Sequence, residues 1–249
     1  RKNKLTYSAM LHYAFRGGDM KILILVISFF LSSTLIWGGD IKMVENIKWL
    51  GHASILIEKD GKSIYVDPWK LKKVTKKADL ILITHSHYDH CSIDDINKIA
   101  TDATIIIGSP DSLAQVQNGN KKTLAPGGEI DLGWVKINGV PAYNTNKNFH
   151  PKSNNWLGFI IRFKDGSIYI AGDTDFIPEM KNIKVDIAIV PVGGTYTMNA
   201  QEAAKAIDTI KPKIAIPIHF GDIVGSRADA EKFASLVKSA QVKILTPEK

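Results

Sequence analysis

The chain has 249 residues, of which 45% are hydrophobic and 23% are charged, a composition that is ordinary for a globular protein. This composition excludes collagen-like, low-complexity and wholly disordered chains, and the single cysteine, Cys91, excludes an internal disulfide framework. Residues 1–42 carry +4 of the net charge of +7, and the +3 that remains for residues 43–249 argues against nucleic acid as a partner.

The first 42 residues contain an apolar run at positions 22–37, directly after Met20 and Lys21. At about 1.5 Å per residue this run is shorter than a bilayer core of about 30 Å, and its basic flank is typical of a signal peptide or anchor. Gly-Gly-Asp stands shortly before Met20 and again before Met43, as the translation of a ribosome-binding sequence would. Residues 1–42 are thus either a leader of an exported or membrane-anchored protein starting at Met20, or an untranslated segment upstream of a cytoplasmic protein starting at Met43.

The rest of the chain, residues 43–249, predicts one α/β domain. Short apolar runs rich in β-branched residues, mostly bounded by Gly, Pro, Asp or Asn, indicate strands. These runs lie at positions 54–57, 63–66, 80–83, 104–107, 134–137, 157–163, 167–170, 186–190, 214–218 and 242–245. Helical patterns with N-terminal capping residues or one apolar face lie at positions 93–100, 200–210 and 228–239. We expect large sheets with helices outside them, in two similar halves that divide near positions 126–128.

The sequence His-Ser-His-Tyr-Asp-His at positions 85–90 directly follows one predicted strand. Four potential metal ligands in six residues are a strong signal in a chain with only seven histidines. In extended backbone His85 and His87 point the same way, and a turn after Tyr88 would direct Asp89 and His90 elsewhere. Such a loop suits two adjacent metal ions. Imidazole and carboxylate ligands without thiolates favour zinc, with manganese or iron as alternatives.

Two further ligand candidates follow other predicted strands. Asp173 lies in Gly-Asp-Thr-Asp after the strand at 167–170, and His219 lies in Pro-Ile-His-Phe-Gly after the strand at 214–218. A single histidine after a strand is usually a packing or surface residue. Side chains at the carboxyl ends of successive strands can nevertheless converge at one sheet edge, so three such strand ends predict one site.

These motifs, in this order, resemble the metallo-β-lactamase superfamily from position 46 onwards. The sequence Trp-Leu-Gly-His-Ala-Ser at 49–54 and Val-Asp-Pro at 66–68 resemble the branch that contains ascorbate-6-phosphate lactonase and N-acyl phosphatidylethanolamine phospholipase D. The resemblance implies a four-layer αβ/βα sandwich with two mixed sheets and a dinuclear metal centre. It assigns ligands by position: His85 and His87 to the first metal, Asp89, His90 and His219 to the second, and Asp173 as the bridge.

The remaining ligand of the first metal departs from the family pattern. Where the family's histidine normally follows a strand, this chain has Asn144, and the nearest histidine is His150. His150 is the only histidine between His90 and His219, so we assign it as the ligand. In the alternative, Asn144 occupies the position and His150 is a loop or substrate residue.

Other residues carry weaker expectations. The resemblance implies that Asp67 orients the ligand loop, and that His52 binds substrate or transfers a proton near the metals, although a packing role for His52 is as plausible. Asp89 is expected to orient the attacking hydroxide. Tyr88 is expected to face the pocket or its rim. Thr195 and Tyr196, in a loop between a strand and a helix, are expected to contact substrate, or else to form a simple turn.

The expected reaction is hydrolysis by a hydroxide that two divalent metal ions bridge. We expect an anionic small-molecule substrate, either a phosphodiester or a lactone-type ester. The alternatives are a nuclease of the same superfamily, an iron-dependent dioxygenase and a non-catalytic metal-binding sensor. The weak positive charge after Met43 and the absence of an appended flavin domain favour the small-molecule hydrolase.

Overall fold

The computed structural model describes residues 42–72, 74 and 76–248. The apolar run at 22–37 lies outside the described residues, as do all positions before 42. Both interpretations of residues 1–42 therefore stay predictions. Within the described range no helix has the length and apolar character needed to cross a membrane.

The amino-terminal half forms a six-stranded sheet whose strands lie side by side in chain order. The first three strands pair antiparallel and the last three pairings are parallel. The strands are β1 (Ile47–Gly51), β2 (Ser54–Lys59), β3 (Lys62–Val66), β4 (Leu80–Ile83), β5 (Ile105–Gly108) and β6 (Asn120–Thr123).

The carboxyl-terminal half forms a seven-stranded sheet, again in chain order. Its first four strands pair antiparallel and its last four pair parallel. The strands are β7 (Glu129–Asp131), β8 (Lys136–Pro141), β9 (Leu157–Phe163), β10 (Gly166–Ile170), β11 (Ile187–Pro191), β12 (Ile214–Ile218) and β13 (Gln241–Val242). From β8 onwards this sheet repeats the pairing of β1 to β6, which confirms two similar halves divided near positions 126–128.

Four α-helices of the described chain cover the sheets: α1 (Ile93–Ile99), α2 (Pro110–Gln115), α3 (Ala200–Ile210) and α4 (Arg227–Leu236). Two short 3-10 helices lie at Lys152–Asn154 and Pro178–Asn182. Capping boxes begin α3 at Asn199 and α4 at Ser226, in which a carboxylate three residues later bonds back to the cap.

Successive side chains along the strands of the first sheet point to opposite faces, and each face packs into a different hydrophobic core. Ile55 and Ile57 of β2 belong to a large core that also contains Phe159 and Ile168 of the second sheet. Leu56, between the two isoleucines, instead joins a smaller core with α1 and α2. The second sheet packs α3 and α4 into the large core. The result is the predicted α/β sandwich of two mixed sheets with helices on the outside.

The differences from the predicted elements have simple causes. The predicted strand at 134–137 begins later, at Lys136, and the strand at 242–245 shrinks to two residues at a sheet edge. The strand β6 was missed because its sequence, Asn-Lys-Lys-Thr, is mostly exposed and has no apolar alternation. The helix α2 was missed because it has only six residues, too few for a helical period to show.

One polar atom in the core permits a test of this packing. Tyr169 of β10 is fully buried, and its hydroxyl makes no hydrogen bond to any described residue. Burial raises the pKa of this hydroxyl above its ordinary value. We expect Tyr169→Phe to increase the free energy of unfolding by about 1 kcal/mol, since a buried hydroxyl without a partner costs that order of free energy.

Tyr65 provides the matched control, because its hydroxyl donates a hydrogen bond to the Lys76 carbonyl at 3.0 Å. Tyr65→Phe is expected to decrease the free energy of unfolding by about 1 kcal/mol. Urea denaturation of the metal-free protein measures both changes. A loss of stability in Tyr169→Phe equal to that in Tyr65→Phe would contradict this description of the core.

Candidate metal centre

The candidate site forms where strands of both sheets end. His85 follows β4, Asp173 lies three residues after β10, and His219 directly follows β12. Gly172 permits the turn before Asp173, because its backbone is left-handed (φ 65°) and a side chain would meet the Leu157 carbonyl at 2.7 Å. His219 itself adopts a left-handed backbone (φ 61°), which turns the chain sharply at the end of β12. The strand ends therefore converge, as the sequence predicted.

The loop after β4 turns at His87. The backbone N–H groups of His90 and Cys91 both donate to the His87 carbonyl, at 3.0 and 2.8 Å. This turn directs His85 and His87 to one side of the site and Asp89 and His90 to another. The loop thus divides its four ligand-type side chains between two groups.

The first group contains His85, His87 and His150, which offer ligand atoms within 4.8 Å of one another. His85 Nε2 lies 3.1 Å from His87 Nδ1. Trp156 packs against all three rings, with centroid distances of 4.8 to 5.6 Å. The group is therefore held between the loop after β4 and the start of β9.

The second group contains Asp89, His90 and His219, together with His52. His52 follows β1 with a left-handed backbone, and its Nε2 atom lies 3.0 Å from Asp89 Oδ2. The His52 ring packs on the His219 ring at a centroid distance of 4.0 Å, and its carbonyl accepts from the His219 N–H. His52 therefore supports two members of this group from behind.

Asp173 lies between the two groups. Its Oδ1 atom is 3.4 Å from His90 Nε2 and 3.2 Å from His219 Nε2, on the side of the second group. Its Oδ2 atom is 3.3 Å from His150 Nε2, on the side of the first group. One carboxylate thus presents one oxygen to each group.

Oxygen atoms fix the orientation of three of the imidazole rings. His85 Nδ1 lies 2.9 Å from Thr84 Oγ1, whose own proton is donated to Asp67, and His90 Nδ1 donates to Asp67 Oδ2 at 2.8 Å. His150 Nδ1 lies 3.0 Å from Asn144 Oδ1. With its Nδ1 proton held in this way, each ring turns the lone pair of Nε2 towards the site.

Asp67 connects two of these oxygens. Its carboxylate accepts hydrogen bonds from the Thr84 N–H at 2.8 Å and from the Thr84 hydroxyl at 2.7 Å, besides the bond from His90. Asp67 adopts a left-handed backbone directly after β3 (φ 46°), which non-glycine residues rarely do. Its position is consistent with the expected role of holding the ligand loop.

Asn144 lies behind His150, with its side-chain oxygen 3.0 Å from His150 Nδ1, the ring nitrogen opposite the one that faces Asp173. Its side-chain oxygen faces the His150 ring and also accepts from the His150 N–H at 3.0 Å, while its amide donates to Asp175 and to the Tyr196 carbonyl. Asp175 in turn accepts from the Lys147 ammonium at 2.6 Å. The sequence motif Gly-Asp-Thr-Asp contains Asp175, but nothing in its spacing signalled this contact with Asn144.

The pKa shifts of these side chains indicate that the site favours positive charge beside Asp173. Burial opposes protonation of His90, but Asp173 and Asp67 outweigh it and raise the His90 pKa well above the ordinary value. Burial likewise opposes ionisation of Asp173, but His219 and His90 lower the Asp173 pKa well below its usual range. Burial and the neighbouring His90 hold the pKa of His85 far below 6.5.

The unpartnered atoms show that a metal fits this arrangement. His90 Nε2, His150 Nε2 and His219 Nε2 are buried and lie 3.2 to 3.4 Å from Asp173 oxygens, but none of them forms a well-aligned hydrogen bond with a described residue. Buried polar atoms normally have partners, and neutral imidazole nitrogens beside carboxylate oxygens are the donors that zinc, iron and manganese accept. The donor set and its unpartnered atoms therefore suit one or more metal ions.

A cavity of about 250 Å³ opens in front of the two groups. Tyr88 and Tyr196, expected to contact substrate, both line it, together with Phe149 and Ile223. Thr195 is exposed and does not line the cavity. Asn144 does not line it either, but it bonds to His150 and Tyr196, which do. No sequence pattern indicated Phe149 or Ile223, because each is a single apolar residue in a loop.

Comparison with known proteins agrees with this architecture. A family described as "Beta-lactamase superfamily domain" matches residues 46–219, a range that spans every clustered side chain. A UPF0173 metal-dependent hydrolase of Thermoplasma acidophilum is 34% identical over 222 residues, which cover 82% of this chain and 97% of that protein.

Solved structures show the same likeness. A crystal structure from Parabacteroides distasonis is 36% identical, has a TM-score of 0.73, and is matched over 80% of this chain and 93% of its own. A metallo hydrolase from Ignicoccus hospitalis is 25% identical, has a TM-score of 0.67, and is matched over 82% and 95%. The chain therefore belongs to the metallo-β-lactamase superfamily, in the UPF0173 group of metal-dependent hydrolases.

Proposed function

We propose that this protein hydrolyses a small phosphodiester or lactone-type ester at a centre of two divalent metal ions. The observation that carries the proposal is the position of Asp173, whose two carboxylate oxygens face different groups of histidines. A carboxylate in that position suits a bridge between two ions. The relatives named metal-dependent hydrolases support the reaction class, and the resemblance to lactonase and phospholipase D sequences supports the ester or phosphodiester substrate.

Each group supplies the ligands of one ion. His85, His87 and His150 would hold the first, and Asp89, His90 and His219 the second, with Asp173 shared between them. Zinc is the favoured ion because every donor is an imidazole nitrogen or a carboxylate oxygen, and manganese and iron accept the same donors. When bound, two such ions lower the pKa of a water molecule towards about 7 and stabilise the negative charge that develops on the substrate.

Asp89 and His52 are our candidates for handling the attacking water. The Asp89 carboxylate faces the cavity, and although burial opposes its ionisation, the hydrogen bond from His52 and the charge of His90 together lower its pKa. It is therefore ionised and able to orient a water molecule and accept its proton. His52, buried and bonded to Asp89 through Nε2, keeps this carboxylate in place.

The size of the cavity supports a small-molecule substrate. About 250 Å³ accommodates a compact ester or phosphodiester, whereas a nuclease needs a long groove with basic side chains for the phosphate backbone. None of the described residues that line the cavity is a lysine or an arginine. These features favour the small-molecule hydrolase over the nuclease.

The first test removes one ligand. In His87→Ala we expect metal content to fall and hydrolysis of bis(p-nitrophenyl) phosphate to fall by about 100-fold or more, because the first ion loses one of its ligands. Metal analysis and a p-nitrophenol assay measure both, and circular dichroism reports whether the fold persists. A folded variant with unchanged turnover would refute the proposed centre.

The second test separates His150 from Asn144. His150→Ala is expected to remove one metal ion per chain even at saturating metal concentration. Asn144→Ala is expected to weaken metal affinity by about 10- to 100-fold but to leave the ion bound at saturation, since it removes only the acceptor behind the ligand. Equilibrium dialysis measures both. The opposite pattern would make Asn144 the ligand.

The third test concerns Asp67. We expect Asp67→Asn to weaken metal affinity by about 10- to 100-fold, because an amide nitrogen in place of Oδ2 would no longer accept the His90 proton. Asp95 is the matched control: its carboxylate accepts hydrogen bonds from the Lys70 and Leu71 N–H groups, away from the two groups. Asp95→Asn should lower stability without changing metal affinity, and equal affinities in the two variants would contradict the role of Asp67.

A further inference from the structure

The cavity in front of the candidate centre has two unlike walls. Its inner wall consists of residues from the two groups: His87, Asp89, His150 and Asp173. Its outer wall, which we call the apolar rim, consists of Tyr88, Phe149, Tyr196 and Ile223. A molecule whose reacting bond faces the inner wall must therefore lay its remaining atoms along the rim.

The rim collects most of the apolar side chains that the described chain exposes. Only four large hydrophobic residues in the described part are exposed, and three of them, Tyr88, Phe149 and Ile223, belong to the rim. Tyr88 is 68% exposed and Phe149 is 47% exposed. A concentration of exposed apolar side chains at one place marks a binding surface, because scattered single residues are the usual case.

Two rim residues are already arranged for packing. The rings of Phe149 and Tyr196 lie edge to face, with centroids 4.8 Å apart and planes at 84°. In an edge-to-face pair only one ring face is covered by the partner ring, so the pair can still pack against a further apolar or aromatic group. Tyr196 is held in turn by its carbonyl, which accepts from the Asn144 amide behind His150. The rim is thus coupled to the residues that orient the candidate centre.

Positive charge is lacking at the rim. None of the described residues that line the cavity is a lysine or an arginine, and Lys147, two residues from Phe149, is bonded to Asp175. A substrate with a second anionic group, such as a sugar phosphate, would find no counter-charge there. The rim therefore suits a group that is both uncharged and apolar.

We propose that the substrate carries an uncharged aromatic or aliphatic group next to the bond that is cleaved, and that this group packs on the apolar rim. The proposal rests on the proposed function, because the inner wall must hold the reacting bond. It makes Phe149 and Ile223 residues that determine specificity without taking part in the reaction. Any negative charge on the substrate is confined to the reacting group itself.

The test compares substrates that share a leaving group. One pair is phenyl p-nitrophenyl phosphate and methyl p-nitrophenyl phosphate, and the other is p-nitrophenyl hexanoate and p-nitrophenyl acetate. The enzymatic rate of each compound is divided by the rate of its uncatalysed hydrolysis. In both pairs water adds at phosphorus or at the acyl carbon, and p-nitrophenol leaves. For the pair that the metal-loaded full chain hydrolyses, we expect kcat/KM to be about ten-fold or more higher for the member with the apolar group.

Two variants assign the preference to the rim. Phe149→Ser is expected to reduce the ratio of the two kcat/KM values by about five-fold or more. Phe176→Ser is the matched control, because Phe176 is equally an exposed phenylalanine but does not line the cavity. It is expected to leave the ratio unchanged. A ratio near one, or an equal loss in both variants, would overturn the proposal while the hydrolytic function stands.

A binding measurement tests the apolar rim independently of the proposed function. Hexanehydroxamate and acetohydroxamate carry the same metal-binding head, and their dissociation constants are measured by calorimetry on the metal-loaded full chain and on Phe149→Ser. If no ester is cleaved, the proposed function fails. The apolar rim would still be supported if the longer hydroxamate bound about ten-fold more tightly and if Phe149→Ser abolished this difference in affinity. Equal affinities, or no binding of either compound, would overturn it.

Discussion

The burial of Asp173 among imidazole rings is the constraint on which the rest of the site depends. A carboxylate removed from water is strongly destabilised unless positive charge or hydrogen-bond donors surround it. Here His90 and His219 face one oxygen and His150 faces the other. The metal-free protein meets this requirement with protons, as the raised pKa of His90 shows, and bound metal ions would displace those protons. Metal affinity and the stability of this part of the fold are therefore linked.

The repeated sandwich explains how so many ligand-type side chains come together. Each half presents the ends of its parallel strands at one edge, and a sharp turn follows the strand at Asp67 in the first half and at Gly172 and His219 in the second. Left-handed backbone at these positions redirects side chains out of the strand direction. Behind the candidate ligands, hydrogen bonds from Thr84 to Asp67 and from Asn144 to Asp175 fix the residues that orient the rings. The site is thus built into rigid strand ends, while the apolar rim lies in the loops.

The sequence was sufficient for the fold class and for most of the clustered side chains, because most candidate ligands lie in short motifs that follow apolar strands. It located His150 by elimination, and the structure places this ring beside Asp173. It was insufficient for the partners of those residues. Asn144 contacts Asp175 across 31 positions of the chain, and no local pattern encodes such a contact. The rim residues come from separate loops, so only the folded chain shows that Phe149 and Tyr196 touch.

The central claim is that two metal ions share Asp173 and that hydrolysis requires both. The most direct measurement determines bound metal per chain and turnover of bis(p-nitrophenyl) phosphate in the same titration of metal-free protein with zinc, and separately with manganese and iron(II). We expect two ions to bind per chain and activity to follow occupancy of the second ion. Full activity with a single ion bound, or binding of two ions without turnover of this diester, of p-nitrophenyl acetate or of p-nitrophenyl hexanoate, would contradict it.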